Sequence, residues 1–124
     1  MKALLLVAHG SRRNQSNSEV LILADKLKGH CSEQYAIVHA AFLELAEPEI
    51  PEGIKHCVDH GATSIVVLPY FLNSGRHVTE DIPNIVNSTK RDYPNIDIGI
   101  AAHIGGSDLM MKLLVTSANS EMMG

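Results

Sequence analysis

Tryptophan is absent from these 124 residues, and Phe and Tyr together number only five, so aliphatic side chains must fill whatever core exists. Cysteine is scarce too. Cys31 and Cys57 have no metal-type spacing and form no framework of pairs, which predicts free thiols in a reduced, cytoplasmic setting rather than a disulfide scaffold. Positive charge is in deficit: 10 Lys and Arg stand against 14 Asp and Glu, a net −4 with His neutral. That balance argues against a nucleic-acid partner. No apolar run is long enough to span a bilayer, and the first is too short for a leader, so no membrane partner is expected. Nucleotide motifs are missing as well. There is no Gly-Lys-Ser/Thr loop and no Gly-x-Gly-x-x-Gly after the first strand. No Ser or Cys occupies a nucleophile elbow. These absences exclude ATP-driven, nicotinamide-dependent and elbow-type covalent chemistry, and no nucleotide cofactor is expected.

What is present is a strand–helix alternation. The length suits one domain, read here as residues 1–124 with a tail fraying from about Thr116. Ala3 to Ala8 is a continuous apolar run, as in a strand covered on both faces. Gln15 to Lys28 places Val20, Leu23, Ala24 and Leu27 at i, i+3, i+4, i+7, a helix with one buried stripe, and Gly29 fits its stop. Tyr35 to Leu43 reads as the second strand. The helix after it carries Pro48 in its first turn and buries Ile50, Ile54, Cys57 and Val58. Ile65 to Leu68 is the third strand. The helix after His77 holds Pro83 in its first turn and buries Ile82, Ile85 and Val86. Ile96 to Ala102 is the fourth strand. A last helix follows, with Ser107 as its N-cap and Met110, Leu113 and Leu114 on its inner stripe. Four β-α units with right-handed crossovers predict an α/β three-layer sandwich, a four-stranded parallel sheet with helices on both faces.

In such a sheet the loops after each strand share one edge, where ligands bind. Here those loops bring His9, Ser11, Arg12 and Arg13; then Glu44 and Glu47; then Asn73, Ser74, Gly75, Arg76 and His77; then His103. Imidazole with carboxylate suits a first-row divalent metal. A single strand-end histidine is ordinarily a cap or a packing residue, but two with a glutamate on one edge tip the reading toward chemistry. His77 adds a physical argument. It lies at a helix start, where the dipole disfavours imidazolium and leaves a neutral ring able to bind a metal or accept a proton. The remaining histidines read more plainly. His56 and His60 are spaced i, i+4 but lie off the buried stripe, so they are solvated. His30 falls in a turn, and His39 is core or packed under a helix. Cys57 is a small apolar residue.

Three blocks carry a resemblance. They are Leu5-Leu6-Val7-Ala8-His9-Gly10-Ser11-Arg12, Ala41-Phe42-Leu43-Glu44-Leu45-Ala46-Glu47-Pro48, and Val67 through Pro83 with its Asn73-Ser74-Gly75-Arg76-His77 centre. In this order and separation, over about Leu4 to Ile104, the chain resembles the class II sirohydrochlorin chelatases in their small single-domain form. The resemblance implies half of a two-domain chelatase fold. It also implies ATP-independent insertion of a divalent metal, Co²⁺ first with Fe²⁺ or Ni²⁺ as alternatives, into sirohydrochlorin on the way to siroheme or cobalamin. It assigns the metal to His9 and His77 and an assisting carboxylate to Glu44, with Glu47 behind it. Arg12, Arg13 and Arg76, with Ser11, Asn73, Ser74 and Gly75, are placed to meet the carboxylates of the substrate. A half-length chain implies a homodimer. The fourth loop departs from the pattern, because His103 lacks the neighbouring prolines of relatives; it is a spare ligand or a structural substitution.

Two other readings remain open at this stage. A His-Gly pair after the first strand also resembles mannose-type sugar-transport IIA proteins, which carry phosphate on that histidine. The other reading is a non-catalytic tetrapyrrole or metal carrier, which would bind without turnover.

Overall fold

A computed structural model describes residues 1–121. Its four strands are β1 (Lys2–Ala8), β2 (Ile37–Phe42), β3 (Ser64–Pro69) and β4 (Asp97–Ile100), and its helices are α1 (Asn14–Cys31), α2 (Ile50–Asp59), α3 (Ile82–Lys90) and α4 (Leu109–Glu121). All strand pairs are parallel, in the order β2-β1-β3-β4. This is the expected α/β sheet. The order reverses at β1, so the gap beyond the carboxyl ends of β1 and β3 is the topological switch point.

The alternation of β1 shows why helices lie on both faces. Ala3, Leu5 and Val7 point into one core with Ile65 and Val67 of β3, Ile54 and Cys57 of α2, and Ile82 and Val86 of α3. Leu6 points the other way and packs with Ala40 and Ala24, flanked by Val20 and Leu23 of α1. The predicted α1 stripe is therefore the one that packs. Cys57 is fully buried, and burial pushes its thiol up to about 11. Both cysteines are free. No helix among the described residues is long and apolar enough to cross a membrane.

The structure differs from the sequence expectation at several points, starting with two strands that are shorter than expected, Ile37–Phe42 for β2 rather than Tyr35 to Leu43 and Asp97–Ile100 for β4 rather than Ile96 to Ala102. Gly29 and His30 lie inside α1, which continues to Cys31, so the glycine is no stop and His30 is not in a turn. Pro48 precedes α2, and Pro51 takes the first-turn position instead. The Pro48 carbonyl accepts from Phe42 N–H at 2.8 Å, which ties it to β2 rather than to a helix. A π-helical turn, His77–Asp81, comes before α3, and Pro83 sits in the first turn of α3 as expected. The stretch from Thr116, where fraying is predicted, is helical as far as Glu121, and the rest of that tail lies outside the described residues. Finally, Leu113 and Leu114 are more than half exposed, so the predicted inner stripe of α4 does not pack on the sheet.

Candidate active site

The site starts with a glycine. Gly10 has φ +95, and a Cβ there would lie 1.7 Å from the Glu44 carbonyl oxygen. Only glycine permits this approach. The close contact lets β1 and β2 continue their pairing into the loops, Leu43 N–H to Ala8 O at 2.9 Å and Glu44 N–H to His9 O at 3.0 Å. His9 and Glu44 are thereby set side by side, with His9 Nε2 3.5 Å from Glu44 Oε1. The next residue, Leu45, has φ 66, a left-handed conformation costly for a branched side chain. Strain of this kind tends to gather where a loop is held for a purpose.

The third loop delivers His77 to the same place. Its ring centroid lies 4.7 Å from that of His9, with planes at 65°. His77 begins the π-helical turn, a geometry that recurs at functional sites. Four residues on, Asp81 Oδ2 accepts from His77 Nδ1 at 2.7 Å. His9 Nδ1 donates in the same way to the Gly10 carbonyl at 2.8 Å. An imidazole whose Nδ1–H is held by an acceptor presents its Nε2 lone pair outward, the tautomer that a metal needs. Both rings therefore offer Nε2, and Glu44 stands beside one of them. The His9, Glu44 and His77 side chains are 39%, 55% and 45% exposed, so the cluster is open to a large ligand. Asp81 carries no role in the sequence reading, yet its i, i+4 spacing from His77 is a readable signal on any helical turn.

The other predicted residues are placed less centrally. The Ser11 hydroxyl accepts from Arg13 N–H at 3.0 Å, and the Ser11 backbone is clasped by Asn17 through two bonds, which fixes the first loop. Arg13 reaches Gln15 at 2.9 Å, and Arg76 pairs with Glu80 at 3.3 Å. Arg12, Asn73, Ser74, Gly75 and Glu47 are exposed on their loops. His103 caps a 3₁₀ turn, Ile104–Gly106, and its ring packs near Gly106. That turn is locked to the third loop, because Gly105 N–H donates to Phe71 O at 3.0 Å and a Cβ on Gly105 would meet Leu72 O at 1.7 Å. Of two hollows near the carboxyl ends of the strands, the first shares residues with the cluster and the second does not. A shallow one of about 260 Å³ is lined by Leu43, Glu44, Asp81, Asn84 and Ile85. An apolar groove of about 470 Å³ runs between the third loop and α4, lined by Tyr70, Leu72, Ile104, Met110, Leu113 and Leu114 among others.

The CbiX family model matches residues 3–121. The chain belongs to the CbiX family. This match bears out the resemblance carried by the three sequence blocks. The CbiX-family chain is 37% identical over 112 residues to the chloroplastic sirohydrochlorin ferrochelatase of Arabidopsis thaliana, covering 90% of the chain and 48% of that protein. It is 36% identical over 118 residues to the sirohydrochlorin cobaltochelatase of Sulfolobus acidocaldarius, covering 95% of the chain and 90% of that protein. Among solved structures, the sirohydrochlorin chelatase SirB from Bacillus subtilis subspecies spizizenii in complex with cobalt superposes with a TM-score of 0.83 at 32% identity, over 96% of this chain and 50% of that one. The chain spans about half the length of most of the curated relatives it matches.

Proposed function

We propose that this chain inserts a divalent metal ion into sirohydrochlorin without ATP, with His9 and His77 holding the ion and Glu44 assisting. One observation carries the reading: two imidazoles and a carboxylate, from three loops far apart in sequence, converge at the switch point of the sheet with both Nδ1 atoms hydrogen-bonded. Two neutral nitrogen donors and one carboxylate bind a first-row ion while leaving positions open. The donor set suits Co²⁺, Fe²⁺ and Ni²⁺ alike, and the relatives named for cobalt and iron favour those two.

Metallation exchanges metal–protein bonds for metal–macrocycle bonds and releases two pyrrole protons. An open, half-exposed cluster lets the flat ring approach the ion from the solvent side. As the ion moves to the macrocycle, the vacated imidazoles and Glu44 are bases positioned for those protons. Asp81 holds His77 in the required tautomer throughout. Arg12, exposed on the first loop, can meet a substrate carboxylate through its planar fork of donors. Arg13 and Arg76 would first release Gln15 and Glu80. Asn73, Ser74 and Gly75 add exposed polar backbone and side chains on the third loop, and Glu47 and His103 remain outer candidates. The phosphoryl-carrier alternative is disfavoured by Glu44, whose carboxylate beside His9 Nε2 would repel a phosphoryl group. The reading includes a homodimer, supported by the apolar side chains left uncovered on α4. The negative charge and reduced cysteines fit a cytoplasmic setting.

The test is the sirohydrochlorin absorption spectrum, followed with Co²⁺ or Fe²⁺. Wild type should metallate the ring at least ~100-fold faster than the His9→Ala/His77→Ala double variant, within the range that acid–base groups supply. Equal rates would sink the assignment. Stoichiometric binding of the ring without turnover would point to a carrier.

A further inference from the structure

A second group of histidines lies away from the first. His39 on β2 stacks on His56 of α2, with centroids 3.8 Å apart and planes at 11°, and His56 stacks on His60 at 4.1 Å and 27°. His39 pairs in register with Leu5, three residues back from Phe42 at the carboxyl end of β2, so it lies about 10 Å from the edge that carries His9. His39 and His56 are half-buried and His60 is exposed, so the stack rises from the flank of the sheet into solvent. The sequence expectation that His56 and His60 are solvated holds for His60, while His56 is half-buried against His39. Their i, i+4 spacing puts them on one face of α2, and β2 supplies a third ring beneath.

We propose that His39, His56 and His60 form a second binding site for a divalent first-row transition ion, distinct from the His9–His77 cluster. Two points of chemistry carry it. First, His60 Nδ1 lies 2.7 Å from the His56 carbonyl, which can only accept. The proton is therefore on Nδ1, and Nε2 presents its lone pair to solvent, the same arrangement that prepares a metal-bound histidine. Second, the three ring centroids follow one another at 3.8 and 4.1 Å. The lone pairs of stacked rings do not converge, but rotation out of the stack can bring these nitrogens within the ~4.2 Å that two donors ~2.1 Å from one ion can span. Among the described residues no three His, Cys, Asp or Glu side chains are already arranged as a metal cage, so binding turns the rings from a stack toward a common point.

The experiment uses the full chain carrying His9→Ala/His77→Ala, so its outcome is independent of metal insertion. Zn²⁺ alone is titrated against a chromophoric chelator, and imidazole ¹⁵N resonances are followed in parallel. The expected result is one ion per chain, with the ring nitrogens of His39, His56 and His60 shifting together. Adding His56→Gln/His60→Gln should weaken binding by ~100-fold, at least what the loss of outer-shell partners costs, and His39→Gln by ~10-fold. His60→Gln alone, at an exposed position, keeps the test valid if a half-buried substitution unfolds the chain. The proposal is overturned if the background variant binds no ion, if the histidine pair can be replaced without effect, or if His39 resonances and affinity are indifferent to zinc.

Discussion

The two faces of the sheet are built differently. On the α2/α3 side, Ala3, Leu5, Val7, Ile54, Ile65, Val67 and Ile82 are all 0–1% exposed, and the helices close over them. On the α1/α4 side, among the described residues, only Leu6, Ala24 and Ala40 form a buried cluster. Tyr70 is partly open to water there, and α4 carries Leu109, Met111, Leu113, Leu114 and Val115 all above 50% exposed. The first face satisfies its own hydrophobic demand. The second leaves apolar area in water that folding of this chain does not remove, which is the usual mark of a surface kept for a partner. The candidate metal cluster hangs from both, since the His77 turn leads into α3 and the third loop is locked to the turn before α4.

The largest effect should come from the closed face. Ile54→Ala removes a side chain with no exposure from the centre of that core. A loss of ~2–5 kcal/mol is expected from transfer and cavity terms together, read as a lower urea midpoint at unchanged slope. Ile22→Ala on α1, at 52% exposure, is the matched control and should stay within ~0.5 kcal/mol. Equal costs would erase the distinction between the faces. A smaller effect is expected at Gly53→Ala. The added Cβ would meet Ala41 Cβ at 2.9 Å and Leu5 Cδ1 at 3.1 Å, because α2 sits close on β1 and β2 at that point. Overpacking of ~1–3 kcal/mol is offset by up to ~1 kcal/mol of helix propensity, so a modest net loss should appear in the same urea measurement. A net gain would mean that the helix can shift outward freely, and that the closed face is looser than its burial implies.

How much of this was legible follows from which interactions are local. The strands read clearly because runs such as Ile65-Val66-Val67-Leu68 carry their burial in their composition. His9, Glu44 and His77 could be placed on one edge because parallel topology dictates where loops go. Helix ends were less legible. Gly29 costs a helix only ~1 kcal/mol, which the packing of α1 outweighs, and Pro48 and Pro51 are equally suited to a first turn until the Phe42 bond decides. Asp81 was readable from spacing, but only to a reader treating His77–Asp81 as helical. The His39–His56 contact was not readable, since it joins a strand to a helix with no spacing rule between them. Periodicity correctly marked Met110, Leu113 and Leu114 as one stripe of α4, yet a stripe states that a face exists and not what covers it.

That last point yields the sharpest test of the open face. Leu113→Asp/Leu114→Asp puts two charges on exposed positions of α4, so the fold itself should be nearly indifferent, within ~1 kcal/mol for two surface changes. The proposed dimer should not be. Two carboxylates carried into an apolar contact must be desolvated without partners, which costs more than such a contact returns. Sedimentation velocity should therefore show wild type as a dimer and the variant as a monomer with an unchanged urea midpoint at low protein concentration. If both sediment alike as monomers, the open face does not serve a second copy of this chain. If the variant loses several kcal/mol of stability instead, α4 belongs to the fold after all, and the contrast between the faces is one of degree.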